Sequence, residues 1–179
     1  IGALPADIAD AIATACDEML AGRYPDQFPV NVFRGCGTSI NMNVNEVLGN
    51  RANELLTGHK GADRVHPNTH VTMCQSSNDV FPTAASLVLY RETGGLLDAL
   101  ATLEATVRER MEALGPVVRI GRTCLQDAVP LTFGQSLSGY ASLLERTRGQ
   151  IAAFRKRSAT GILGATAVGT GIGVQPGFI

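Results

Sequence analysis

The stretch "LLDALATLEATVRERMEAL" (residues 96–114) decides the fold class. Its residues Leu96, Leu100, Leu103, Val107, Met111 and Leu114 follow at steps of 4, 3, 4, 4 and 3, the period of one helical face. A second run opens near Phe133, where Leu137, Tyr140, Leu144, Thr147, Ile151 and Phe154 recur at 3, 4, 3, 4 and 3. Two stripes with near-heptad spacing predict long helices packed at shallow angles, so the expected class is mainly α, a long-helix bundle. Pro82 is expected in the first turn of the earlier helix, because proline is accepted there and hardly anywhere later. Gly94 and Gly95 mark a weak point within it.

Upstream, residues 5–20 predict a helix with Ile8, Ile12, Cys16, Met19 and Leu20 along one stripe. "AGRYPDQFPV" (21–30) breaks it with two prolines and a glycine. The flexible "FRGCGTS" (33–39) is then expected to precede a helix over "INMNVNEVLGNRANELL" (40–56). That segment carries Asn41, Asn43, Asn45, Asn50 and Asn53, all poor helix formers. Two readings stand side by side, a solvated face and a buried amide network. After Pro116, "VVRIGRT" (117–123) has short strand character. The stretch "GILGATAVGTGIGVQPGFI" (161–179) holds six glycines without helical period and reads as a mobile loop. No Lys-Ser/Thr follows its glycines and a helix precedes them, so neither a P-loop nor a dinucleotide fingerprint is met.

The bulk numbers narrow the function classes. In 179 residues, 45% are hydrophobic and 17% charged, with net charge −1, as for a folded domain with a core. The near-neutral balance gives no electrostatic reason to expect nucleic acid or a membrane as partner. The basic residues Arg146, Arg148, Arg155, Lys156 and Arg157 sit towards a helix end, where cations favour the dipole, and are read as a solvated face. Cys16, Cys36, Cys74 and Cys124 form no C-x-x-C pair and are read as free thiols of a reducing, cytoplasmic compartment. Cys16 and Cys74 are expected as small buried fillers. His59, His66 and His70 are not expected to bind metal, since Pro67 and Asn68 separate the last two.

Three polar islands interrupt the helical pattern, at residues 35–39, 75–79 and 121–127. Each is a hydroxyl- and amide-rich turn beside a long apolar helix. A helix start offers unpaired N–H groups and the positive end of the dipole. Neutral donors gathered there suit a planar carboxylate. Simple N-capping is the competing reading, since serine, asparagine and aspartate are all favoured caps.

The segments "GCGTSINMNVNEVLGNRANELL" (35–56), "VHPNTHVTMCQSSNDVFPTA" (65–84), "GRTCLQDAVPLTFGQ" (121–135) and "LGATAVGTGIG" (163–173) resemble, in order and rough spacing, the signature segments of the aspartase/fumarase superfamily. The resemblance implies homotetramers built around a helix bundle, with active sites shared between subunits and no cofactor. It implies elimination from a C4 dicarboxylate to give fumarate. By motif, Cys36, Thr38, Ser76, Ser77, Asn78 and Thr123 would bind substrate, with Cys36 where the family usually has serine. His66 and Asn68, in "HPNT" (66–69), would match a secondary anion site, although Thr69 stands where aspartate is usual. Cys124 takes the position of the family's histidine, and a small neutral filler is its plainer reading. The family's serine base lies on a loop "GSS-x-MPGK-x-N" that has no counterpart in these residues. The expectation is therefore a partial or truncated chain, inactive alone, with residues 1–78 part of an N-terminal domain and 79–179 the first part of the central bundle. "GTS" (37–39), "GATA" (164–167) and the missing histidine lean towards aspartate ammonia-lyase. Class II fumarase is the alternative, and a non-catalytic scaffold the reading from another class.

Overall fold

The computed structural model describes residues 2–31 and 33–178. The elements run in the order α1 (Ala6–Leu20), α2 (Cys36–Thr57), α3 (Ser77–Leu114), β1 (Val118–Thr123), β2 (Gln126–Thr132) and α4 (Phe133–Ser158). A 3-10 turn (Pro25–Gln27) lies between α1 and α2, and a π turn (Pro67–Val71) between α2 and α3. The mainly α expectation holds. The chain divides into two compact units, Ile1–Ala85 with Gly161–Ile179, and Ser86–Thr160. Among the described residues no helix is long and apolar enough to cross a membrane.

In the first unit, α1 packs on α2. Ile8, Ala11, Ala52 and Val65 are buried together, with Leu4, Ile12, Leu56 and Val71 against them. Small residues at the contact let the two helix backbones approach closely. The expected α1 stripe is corrected at its end, because Leu20 is exposed and Ala11 and Ala15 are buried instead. Glu18 of α1 reaches across to Arg51 of α2 at 2.6 and 2.9 Å. Gly49 lets the π turn lie on α2: a Cβ there would stand 3.3 Å from the Pro67 ring.

The asparagines of α2 resolve into two groups. Asn41, Asn45 and Asn53 are buried on the face that also carries Leu48, Gly49 and Ala52. Asn45 donates to Thr72 Oγ1 at 2.6 Å, and Asn53 donates to the His59 carbonyl and accepts from the Arg64 N–H. The amide-network reading holds for these three. Asn43 donates to the Gln27 carbonyl, while Asn50 donates back to the Glu46 carbonyl one turn earlier. α2 also begins earlier than expected, taking residues 36–39 into its first turn behind Gly35 at φ 98°.

In the second unit, α3 and α4 run antiparallel. Tyr90 and Gly94 face Arg155, Glu104 faces Arg148, Arg108 faces Glu145, and Gly115 meets Gly134. Glu104 is buried, and the Arg108 bond first, then Arg148, holds its carboxyl below the usual range. Arg155 lies 4.0 Å over the Tyr90 ring, so two of the five basic residues read as a solvated face are engaged. The expected apolar stripes are only partly covered: Leu96, Leu103, Leu114, Tyr140 and Phe154 are exposed, while Leu100, Val107, Met111, Leu137, Leu144 and Ile151 are half-buried. Pro82 is not in the first turn, because α3 already begins at Ser77.

Between the helices, β1 pairs antiparallel with β2, so the strand-like stretch has a partner that the sequence did not announce. Thr123 pairs with Gln126 across a two-residue turn, Cys124–Leu125, both left-handed at φ 49° and 62°. Positive φ at both central positions is what a tight twisted hairpin requires. α4 then starts on a reciprocal cap, in which Thr132 Oγ1 accepts from the Gln135 N–H and Gln135 Oε1 from the Thr132 N–H.

Candidate active site

Ser76 precedes α3 as its cap. Its Oγ accepts the Asn78 N–H at 3.2 Å, and its own N–H donates to Asp79 Oδ1 at 2.8 Å. The N-capping reading is thus realised at this island, where Ser76 accepts the N–H groups of Asn78, Asp79 and Val80. Two hydroxyls stand at the same helix start. Ser77 Oγ accepts from Asn41 Nδ2 at 3.1 Å, as Ser76 Oγ accepts from Asn78. A hydroxyl whose oxygen already accepts an N–H keeps its proton to donate. Asn78 donates through Nδ2 to the Ala167 carbonyl at 2.7 Å.

The segment after α4 is irregular, as expected, but it is tied down rather than loose. Gly164 and Thr166 N–H groups donate to Asp79 Oδ2 at 3.1 and 2.9 Å, and the Ile162 N–H to Thr83 Oγ1 at 3.0 Å. A cleft of about 520 Å³ opens between the two segments, lined by Cys74, Gln75 and Ser76 on one side and Thr166 and Thr170 on the other. Among the described residues no charged side chain lines it.

The first island meets the second at their helix starts. Asn41 bonds Ser77, and a Cβ on Gly37 would stand 3.3 Å from the Phe81 ring. Unlike α3, α2 has no side-chain cap at its amino end, where Cys36 and Thr38 lie exposed in the first turn. The structure therefore brings the first, second and fourth segments together in one unit. Thr123 and Cys124 lie in the other unit, exposed at the hairpin end, where Arg122 and Asp127 pair at 3.4 Å.

The turn at 66–69 is filled from within. His66 Nδ1 accepts the Asn68 and Thr69 N–H groups at 3.1 and 3.3 Å, and His70 Nδ1 accepts the His66 N–H at 2.9 Å. Among the described residues no group of three or more His, Cys, Asp or Glu is placed to hold a metal. Cys16 and Cys74 are half-buried rather than buried fillers. Burial, then the Asp17 charge, pushes the Cys16 thiol up, away from the reactive thiolate.

Sequence reasoning missed Asp79 and Thr166. Asp79 had a signal, since Ser76-Ser77-Asn78-Asp79 has the spacing of a capping box. Thr166 had none; its left-handed backbone follows from tertiary bonds.

A family profile described as lyase matches residues 1–179. The fumarate hydratase class II of Bordetella parapertussis is 48% identical over 99% of this chain and 39% of its own length. That of Bacillus subtilis is 45% identical, also over 99% of this chain and 39% of its own. The crystal structure of class II fumarase from Schistosoma mansoni superposes with a TM-score of 0.83 at 42% identity, over 98% of this chain and 37% of that one. The chain thus spans about two fifths of the length of the relatives it matches. These relatives overturn the ammonia-lyase expectation, while the expectation of a lyase holds. That expectation rested on a few motif letters and on Cys124, whereas the likeness to class II fumarases runs along the whole chain. With its helical fold and its four signature segments in order, the chain belongs to the lyase family of the aspartase/fumarase superfamily.

Proposed function

We propose that this chain carries part of a class II fumarase, which adds water reversibly to fumarate to give malate. The observation that carries the reading is the pair of hydroxyls at the head of α3. Ser76 and Ser77 both accept an N–H, so both keep a proton to donate, and Ser76 lines a cleft in which none of the described lining residues is charged. Such donors suit a carboxylate whose charge grows during reaction. Removing the proton next to a malate carboxylate pushes electrons into that group as an enediolate. Donors that tighten on the developing charge lower the barrier. In this reading Ser76, Ser77 and Asn78 hold one carboxylate, and Cys36 and Thr38 approach from the uncapped start of α2, whose first N–H groups add positive potential. Thr123 would come from another subunit of a homotetramer, with Cys124 a neutral wall beside it. The base is assigned to the family's serine loop, so these residues bind and stabilise rather than abstract the proton. His66 and Asn68 would serve a secondary anion, which must displace the His66 ring from its own turn. Residues 1–78 are read as part of the N-terminal domain and 79–179 as the first part of the central bundle of a cytoplasmic enzyme.

The test is turnover by protein expressed from its natural reading frame, followed by fumarate absorbance with L-malate and, separately, L-aspartate. Malate turnover that falls about 10- to 100-fold in kcat/KM on Ser76→Ala supports the reading. A folded protein silent with both substrates would instead support a non-catalytic scaffold.

A further inference from the structure

Asp79 is fully buried, 0% exposed, and its two oxygens divide their bonds between segments far apart in the chain. Oδ1 accepts the Ser76 N–H at 2.8 Å, while Oδ2 accepts those of Gly164 and Thr166 at 3.1 and 2.9 Å. Ser76 and Thr166 both line the same cleft. One carboxylate therefore ties both of its walls. Thr166 also sits at φ 62°, a left-handed conformation that β-branched residues rarely adopt. Such a conformation persists where its surroundings over-determine it, and it recurs at binding sites. Here the Asp79 bond to the Thr166 N–H is one such constraint, and the Asn78 bond to the adjoining Ala167 carbonyl is a second.

The geometry points to Asp79 as the positioning residue of the dicarboxylate cleft, and to Thr166, held by it, as a further substrate-binding residue facing the same space as Ser76. This rests on the fumarase reading and deepens it. A carboxylate pocket needs its donors held to within about half an ångström, and a shared buried anchor for both walls supplies that. Asparagine at 79 keeps the shape but turns one acceptor into an NH2 facing N–H donors.

Asp79→Asn is expected to raise KM for fumarate about tenfold or more while kcat stays within about threefold. It should also speed hydrogen exchange at the Gly164 and Thr166 amides. Thr166→Gly, which tolerates positive φ without strain, should fold well and still raise KM. In the double variant the glycine should recover much of the lost Tm while KM stays high. A merely structural Asp79 would let KM recover together with Tm. Unchanged KM in folded Asp79→Asn or in Thr166→Gly, or recovery of KM with Tm, overturns the proposal. If wild-type protein turns over no fumarate, the fumarase reading fails by itself. Amide exchange then decides the anchor, and unchanged protection in Asp79→Asn overturns it.

Discussion

Asn53 shows why α2 tolerates so many poor helix formers. Its side chain is fully buried and works as a spacer between the helix and the loop that follows. Nδ2 donates to the His59 carbonyl at 2.9 Å and to Thr57 Oγ1 at 3.2 Å, while Oδ1 accepts from the Arg64 N–H at 2.8 Å. The loop backbone has no helix or strand to satisfy it, so the amide stands in for one. Asn53→Ala strands a donor and an acceptor, each costing about 1–3 kcal/mol when buried, and the expected loss is about 3 kcal/mol. Urea unfolding measures it as a lower midpoint at unchanged slope. Asn50 is the contrast, because among the described residues it bonds only to Glu46 of its own helix. Asn50→Ala should stay within about 0.5 kcal/mol of wild type. An equal loss at both positions would mean that the burial of Asn53 is not what matters.

At the scale of elements, the tie between α1 and α2 is ionic as well as apolar. The bonds from Arg51, more than that from Tyr24, bring the Glu18 carboxyl down to about 2, against burial that pushes it up. Its folded value lies below its unfolded one of 4.5. Glu18 therefore contributes stability that is complete above about pH 4.5 and is lost as pH falls towards 2. Urea midpoints taken from pH 7 down to pH 2.5 should fall in that window, and Glu18→Gln should flatten the fall. A Glu18→Gln protein with the wild-type pH profile would show that the pair adds nothing to the folded state. The four helices were legible because apolar period and capping residues are local signals. What was not legible had non-local causes. The hairpin turn at Cys124–Leu125 carries neither glycine nor asparagine, although both residues are left-handed. Pro82 misplaced the start of α3, since the true cap is the Ser76–Asp79 exchange a turn earlier. The candidate hydroxyls could be read from the motif segments. Their second wall could not, because Thr166 meets Asp79 only through the fold.

At the scale of the whole molecule, the second unit lacks a core of its own. Within Ser86–Thr160 the buried residues are Glu104, Ala141 and Ser158, none of them a large apolar side chain. Leu87, Val88, Leu96, Leu103, Leu143 and Val129 all stand at least half exposed or close to it, from 47% for Leu96 to 75% for Val129. The periodic stripes that announced long helices are thus only partly covered, with Leu96, Leu103, Leu114, Tyr140 and Phe154 exposed, and Glu104 of α3 pairs with Arg148 of α4. An ion cluster of this kind is a weak source of stability, while exposed apolar faces of this extent favour association. The 179-residue chain is therefore expected to self-associate. Light scattering at micromolar concentration should give a mass above the 18.8 kDa of one chain. Leu103→Glu combined with Leu143→Glu should shift the population towards monomer while helical circular dichroism is kept. A monodisperse wild-type monomer would mean that the stripes find partners within one chain, and the bundle reading of residues 96–114 would fall with it.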